Sequence, residues 1–222
     1  MNQGAWDTAF AIEILPDMWR GMLIIIQATL AGISIAMVFG LFLALGRRAP
    51  NRWISWPFAA FIDFIRSTPL LIQLFFLYFV LPDFGLVLDK LPTLIIGLGI
   101  HYGTYASEAY RAGIEAVPRG QWEAAIALNL GPLTKWRQVI LPQAIPKVVP
   151  ALGNYFVAMF KDAPLGSSIG VLGVLTVAGS IGSRSFRFVE PYTVAGLLFL
   201  AVSIPAALFV QFLERKYGYE SN

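Results

Sequence analysis

Asp63, Arg66, His101, Glu108, Lys161 and Asp162 stand within or at the ends of long apolar runs. Ionisable groups in such runs are costly and usually face a protein interior or a water-filled cavity. Asp63 and Arg66 are three residues apart, so one helical face can bring them together. Glu108 and Arg111 repeat that spacing. Both sets read as internal ion pairs rather than solute ligands. Lys161-Asp162 differs because Pro164 follows it. Proline interrupts the helical ladder, and a broken helix exposes backbone groups that can hold a polar solute. The alternative is that Lys161 and Asp162 bond each other and neighbouring backbone. His101 is the only histidine and cysteine is absent, so no metal site is expected. Gly166-Ser167-Ser168-Ile169-Gly170 fits G-x-S-x-G. That motif needs a strand-to-helix elbow and a histidine partner, and here it follows an apolar helix. It reads as a small-residue packing stretch, and no enzyme activity is expected.

The elements that must position these residues are set by lipid. Of 222 residues, 57% are hydrophobic and 13% charged, with mean hydropathy +0.68. A soluble domain carries about twice that charged fraction. A membrane span needs roughly 20 apolar residues. Five segments qualify, at about 18–45, 54–81, 93–110, 148–164 and 192–212, so the fold class is an all-α integral membrane protein forming a single domain. Positively charged residues concentrate on the cytoplasmic side. Arg47, Arg48, Arg52, Arg111, Arg119, Lys135, Arg137, Lys147, Arg215 and Lys216 fall on one side, against Arg20, Lys90, Arg184 and Arg187 on the other. The N-terminus is therefore expected outside, with the C-terminus and the 111–147 loop in the cytoplasm. The N-terminal stretch lacks a basic region before an apolar core and does not read as a cleaved signal. The Gly/Ser-rich stretch 166–190 is expected to be re-entrant or interfacial. No internal repeat is visible.

The 111–147 loop is the longest polar interruption. A loop of that size needs something to dock against. Gly120 to Leu128 is rich in helix formers, and Asn129 tolerates the left-handed turn that ends many helices. Gly131-Pro132 then starts a second helix. Leu141-Pro142 is expected to end it, and Pro142, Pro146 and Pro150 to stiffen the re-entry. Trp122, Ile126 and Trp136 alternate with charge, as on a docking face.

Glu123-Ala124-Ala125, then Asn129, Val139-Ile140 and Leu141-Pro142 resemble the EAA loop of ABC importer permeases, with Asn129 where the family usually has glycine. Arg66-Ser67-Thr68-Pro69-Leu70-Leu71-Ile72-Gln73-Leu74-Phe75-Phe76 is similar to the R-x-TPLL-x-QLFF signature of the polar amino-acid uptake group. Glu108, Arg111, Gly113 and Pro118-Arg119-Gly120-Gln121 fit its E-x-x-R-x-G…PRGQ run. Lys161-Asp162-Ala163-Pro164-Leu165 resembles its KDTSL segment, with Ala163 and Pro164 replacing Thr and Ser. Two stretches, 98–130 and 151–165, look most like the membrane subunit of ectoine/hydroxyectoine uptake systems.

The resemblance implies a permease of the bacterial inner membrane that works with a pair of ABC ATPase subunits. It also implies a second permease subunit, either a paralogue or a second copy, and an extracytoplasmic solute-binding protein. The sequence has no G-x-x-x-x-G-K-[ST] loop, so ATP and Mg belong to the partner ATPase and this chain is expected to bind no cofactor. A nucleic-acid partner is not expected. Gly120, Glu123, Ala124, Ala125, Asn129, Leu141 and Pro142 are the implied ATPase-coupling residues, with Glu123 meeting a basic residue of the ATPase. Ectoine is the implied solute, with a polar amino acid such as glutamine, arginine or histidine as the alternative. A compact zwitterion needs a polar contact at each end and an aromatic wall. Tyr102, Tyr105 and Phe160 form the candidate wall, and Lys161, Asp162 and Pro164 complete the expected path. An ion-coupled carrier is the rival reading. It would need its own coupling-ion site and usually a repeated half.

Overall fold

The computed structural model describes residues 6–217, all helix and connecting turn. Helix α1 (Thr8–Arg47) is capped by Asp7, whose carboxylate accepts from the N–H groups of Ala9 and Phe10. At 40 residues it is about 60 Å long, about twice the hydrocarbon thickness. Then come α2 (Arg52–Arg66), α3 (Leu70–Phe75) with a π turn at Phe76–Val80, and α4 (Lys90–Glu115). Two short helices, α5 (Arg119–Ala127) and α6 (Pro132–Thr134), lead through a π turn at Lys135–Ile140 into α7 (Leu141–Asp162). After a 3-10 segment, Ala163–Ile169, the chain forms α8 (Val174–Ser185) and α9 (Val189–Tyr217).

Helix α4 is the inner helix. Glycines let it approach α1: a Cβ on Gly40 would lie 2.7 Å from the Gly103 carbonyl oxygen, and one on Gly99 would lie 2.6 Å from Ile35. Small residues at a helix interface permit such approach where lipid gives no hydrophobic drive. The register gives direction. Gly32 meets Leu98, Gly40 meets Gly103, and Arg47 meets Glu108, so α1 and α4 are parallel. Gly113 meets Val148, Tyr105 meets Tyr155, and Tyr102 meets Asp162, so α7 is antiparallel to α4. Gly153 meets Val210 and Phe160 meets Phe199, so α9 turns back again.

The expected five spans differ from this in detail. By length and apolarity, α1 and α9 qualify as crossings; the count reaches four if each of two bent pairs is one span. Helix α4 has the length but carries His101, Glu108 and Arg111, which the surrounding helices shelter. The expected second span is sharply bent: α2 and the α3 run meet at 104°. Pro69 is the cause, since it cannot continue the ladder and biases Thr68 away from the helical region. The 166–190 stretch holds α8, whose 12 residues are too short to cross. Its buried Val174, Ala178 and Gly182 lie against its neighbours. Leu141-Pro142 does not end a helix. From Pro132 to Ile169 the chain is one helical run, because the π turn precedes Pro142 and the next two prolines are absorbed four residues apart.

Candidate functional site

Two sites are built on this frame. The first is the hairpin at the end of α4. Helix α5 stops as its sequence requires: Asn129 adopts φ 55°, its N–H bonds the Ile126 carbonyl at 2.8 Å, and the Leu130 N–H bonds Ala125 at 3.0 Å. That pair of bonds is a Schellman motif. Ala125 is buried. Glu123 and Ala124 are exposed beside it, as are Gly120, Leu141 and Pro142. Trp122 and Trp136 are half-buried and pack within the hairpin. Their rings meet edge to face at 5.4 Å over Val117, Ile140 and Ala144, which form a small core of the hairpin's own. The hairpin's exposed apolar groups include Ile126, Leu128, Leu133 and Leu141. The base is tied down: Lys147 donates to the carbonyl of Ala116, the residue that closes α4, and Gln143 donates to Val139 and Gln121.

Above this base lies a charged cluster. Glu108 bonds Arg111 at 2.7 Å and also Arg47 of α1; Arg111 bonds Glu115 at 2.6 Å. The sequence marks Arg47 only as one of the basic residues that set orientation, not as a partner of Glu108. Its place as the last residue of a helix parallel to α4 is what brings it there.

The second site is a polar patch on α4 and α7. Tyr102 donates to Asp162 Oδ2 at 2.7 Å. Tyr105 lies 5.3 Å from His101 and 5.8 Å from Tyr155, centroid to centroid. Gln73 links the patch to the α2–α3 bend. Its amide nitrogen lies 2.8 Å from both the Ile65 carbonyl and the Thr68 hydroxyl, so it closes carbonyls freed where α2 ends. With that nitrogen committed to donating, Gln73 Oε1 accepts, and His101 Nδ1, 3.1 Å away, carries the hydrogen. The R-x-TPLL-x-Q signature is thus a proline break and the glutamine that staples it. Neither Gln73 nor Tyr155 stands out by spacing or charge in the sequence, although Gln73 lies inside the R-x-TPLL-x-Q stretch.

Three expectations need correction. Asp63 and Arg66 form no ion pair among the described residues; the Arg66 guanidinium lies over the Tyr105 ring at 5.0 Å, because α2 ends there and delivers it to α4. Lys161 is exposed and does not pair with Asp162, which is taken by Tyr102. Phe160 is buried and meets Phe199 of α9 at 5.3 Å, while the α7 ring that meets Tyr105 is Tyr155. Pro164 does mark the end of α7, where the helix tightens to 3-10 turns.

Residues 36–219 match the family described as binding-protein-dependent transport system inner membrane component. The chain belongs to that family. It is an inner-membrane permease of the ABC transporter type. It is 44% identical over 214 residues to the probable amino-acid ABC transporter permease protein y4tG of Sinorhizobium fredii, covering 94% of this chain and 93% of that one. It is 33% identical to the L-cystine transport system permease protein TcyB of Bacillus subtilis, covering 90% and 86%. A solved structure of an amino acid ABC transporter with histidines superposes with TM-score 0.90 at 32% identity, over 96% of this chain and 99% of that chain. The MetNI methionine ABC transporter, at TM-score 0.65 and 19% identity, shares the fold.

Proposed function

We propose that this permease imports an amino acid, with ATP hydrolysed on a partner subunit and solute delivered by a binding protein. The observation that carries this is similarity along nearly the whole chain to proteins named as amino-acid permeases. The relatives named above favour an amino acid over ectoine; ectoine rests only on the two resembling stretches. The Tyr102–Tyr105–Tyr155 patch, with Asp162 at one end, has the chemistry for a zwitterion's apolar body and its cation. Five crossings, N-terminus outside, are supported by α1 and α4 running parallel, α7 running against them and α9 turning back again, and by the basic residues on the α5 side. On this reading Gly120, Glu123, Ala124, Ala125, Asn129, Leu141 and Pro142 meet the ATPase. Closure of the ATPase pair then moves the hairpin and its tied base as one body.

The test is uptake by vesicles containing this permease, its ATPase and its binding protein. Labelled cystine, arginine, glutamine, histidine and ectoine are compared with and without ATP. ATP-dependent uptake of one amino acid in preference to ectoine is expected. Uptake of ectoine alone would reverse the choice of solute, and uptake by this chain without an ATPase would favour the carrier.

A further inference from the structure

Three arginines stand where α1 turns into α2, and they end differently. Arg47 reaches Glu108 of α4. Arg48 and Arg52 are exposed, and neither has an ion-pair partner among the described residues. Lys135 and Arg137, on either side of Trp136 in the hairpin, are likewise without one. The only acid on α2, Asp63, stands far along the helix from Arg52, about 16 Å by helical rise. Two tryptophans follow Arg52 closely: Trp53 is 90% exposed and Trp56 is 69% exposed. Tryptophan collects at the membrane–water interface, where its ring meets apolar chains and its N–H meets headgroups.

The bend at Pro69 sets where these groups lie. Beyond it, Leu74 packs on Gly97 and Gln73 bonds His101, so that run follows α4. Helix α2 turns 104° away from the same run. If the run crosses the bilayer with α4, α2 lies near the membrane plane. Gly46 holds the start of α2 against α1: a Cβ there would lie 2.5 Å from the Phe58 ring. A helix in the interface that presents arginine and tryptophan suits an anionic leaflet. The turn also touches the hairpin, because the Arg48 guanidinium lies over the Trp136 ring, 6.0 Å from its centroid. Stacking uses the face of a guanidinium and leaves its in-plane N–H donors open to a phosphate.

We propose that the α1–α2 turn binds the headgroup of an anionic phospholipid of the cytoplasmic leaflet. Arg48 and Arg52 bond its phosphate, Trp53 and Trp56 anchor the helix at headgroup level, and Arg48 ties the bound lipid to the hairpin through Trp136. The proposal rests on the permease reading only for which side is cytoplasmic.

The permease and its ATPase are reconstituted in vesicles of phosphatidylcholine and phosphatidylglycerol, with brominated acyl chains on one lipid or the other. Bromine quenches tryptophan on contact, and quenching against lipid fraction gives relative affinity. The native protein is expected to prefer phosphatidylglycerol at this site about 30-fold, roughly fivefold for each arginine near an anionic surface. Arg48→Gln with Arg52→Gln keeps every tryptophan and is expected to lose that preference. Arg48→Lys with Arg52→Lys keeps the charge and is expected to retain most of it. Equal quenching by the two lipids in the native protein, or a preference that survives in the glutamine pair, overturns the proposal. If the glutamine pair does not assemble with the ATPase, Arg52→Gln alone decides: a roughly fivefold fall is expected, and no fall overturns it.

ATP hydrolysis in the same vesicles reads the tie to the hairpin. It is expected to rise with phosphatidylglycerol in the native complex and to stay flat in the glutamine pair. An equal rise in both overturns the tie through Arg48 and Trp136. The quenching is read without solute, so a wrong solute leaves it unchanged.

Discussion

Reversing Glu123 separates docking from folding. Glu123 is exposed on α5 and makes no ion pair among the described residues. Its neighbour Ala125, not Glu123, packs inward. Glu123→Lys should therefore change the stability of the permease by no more than about 0.5 kcal/mol, the usual range for a surface change. The interface is another matter. Removing one partner of a buried interfacial charge pair costs about 2–5 kcal/mol, and reversal costs at least that. In affinity this is roughly 30- to 5,000-fold. Two measurements are needed: co-purification of the ATPase with the permease, and ATP-dependent uptake of labelled solute. Both should collapse while the amount of permease in the membrane and its melting temperature stay unchanged. Normal uptake with normal co-purification would refute the docking role of Glu123. A fall in membrane level would mean that the side chain matters to the fold, contrary to its exposure.

The close approach of α1 and α4 predicts that Gly40→Ala destabilises the permease by about 1–3 kcal/mol through overpacking, partly offset by about 1 kcal/mol of helix propensity. Gly196→Ala in α9, where a Cβ meets nothing within 4 Å, has only the favourable part; thermal unfolding of the two in one detergent should give opposite shifts. Ala163→Thr with Pro164→Ser should change the ranking of solutes if the end of α7 lines the path, and an unchanged ranking at full activity would assign selectivity to the binding protein. At the α1 N-terminus, the N–H of Phe10 and the Arg187 guanidinium hold the Asp7 carboxyl below its usual range. A depressed carboxyl contributes stability above its unfolded value of roughly 4 and loses it as pH falls through the folded value. The native protein should thus lose more melting temperature than Arg187→Ala does between pH 6 and pH 3; equal losses would remove Asp7–Arg187 from the account.

What was legible in the sequence had a local cause. Asn129 ends α5 because one residue must enter the left-handed region, and that demand is written in a single residue type. Glu108 and Arg111 meet because three residues along a helix set their distance. Where several elements decide, spacing misled. Asp63 and Arg66 have the same spacing as Glu108 and Arg111, yet only the latter two bond. The difference is which neighbour lies within reach: Glu108 faces the end of a parallel α1, while Arg66 is carried by the Pro69 bend onto Tyr105. Prolines misled in a similar way. Pro69 breaks a helix and its freed carbonyls are closed by Gln73, but Pro142, Pro146 and Pro150 are accommodated within a continuous rod. A proline fixes its own torsion and removes one donor; whether the helix survives depends on what surrounds the carbonyls it frees. In α7 a π turn comes first and the later prolines lie on one side, four residues apart. The rod from the hairpin to Asp162 is therefore unbroken, and it links the face proposed to meet the ATPase to the carboxylate beside Tyr102. Sequence alone placed a joint at Leu141-Pro142. The continuous helix gives a displacement at Leu133 a direct route to the polar patch.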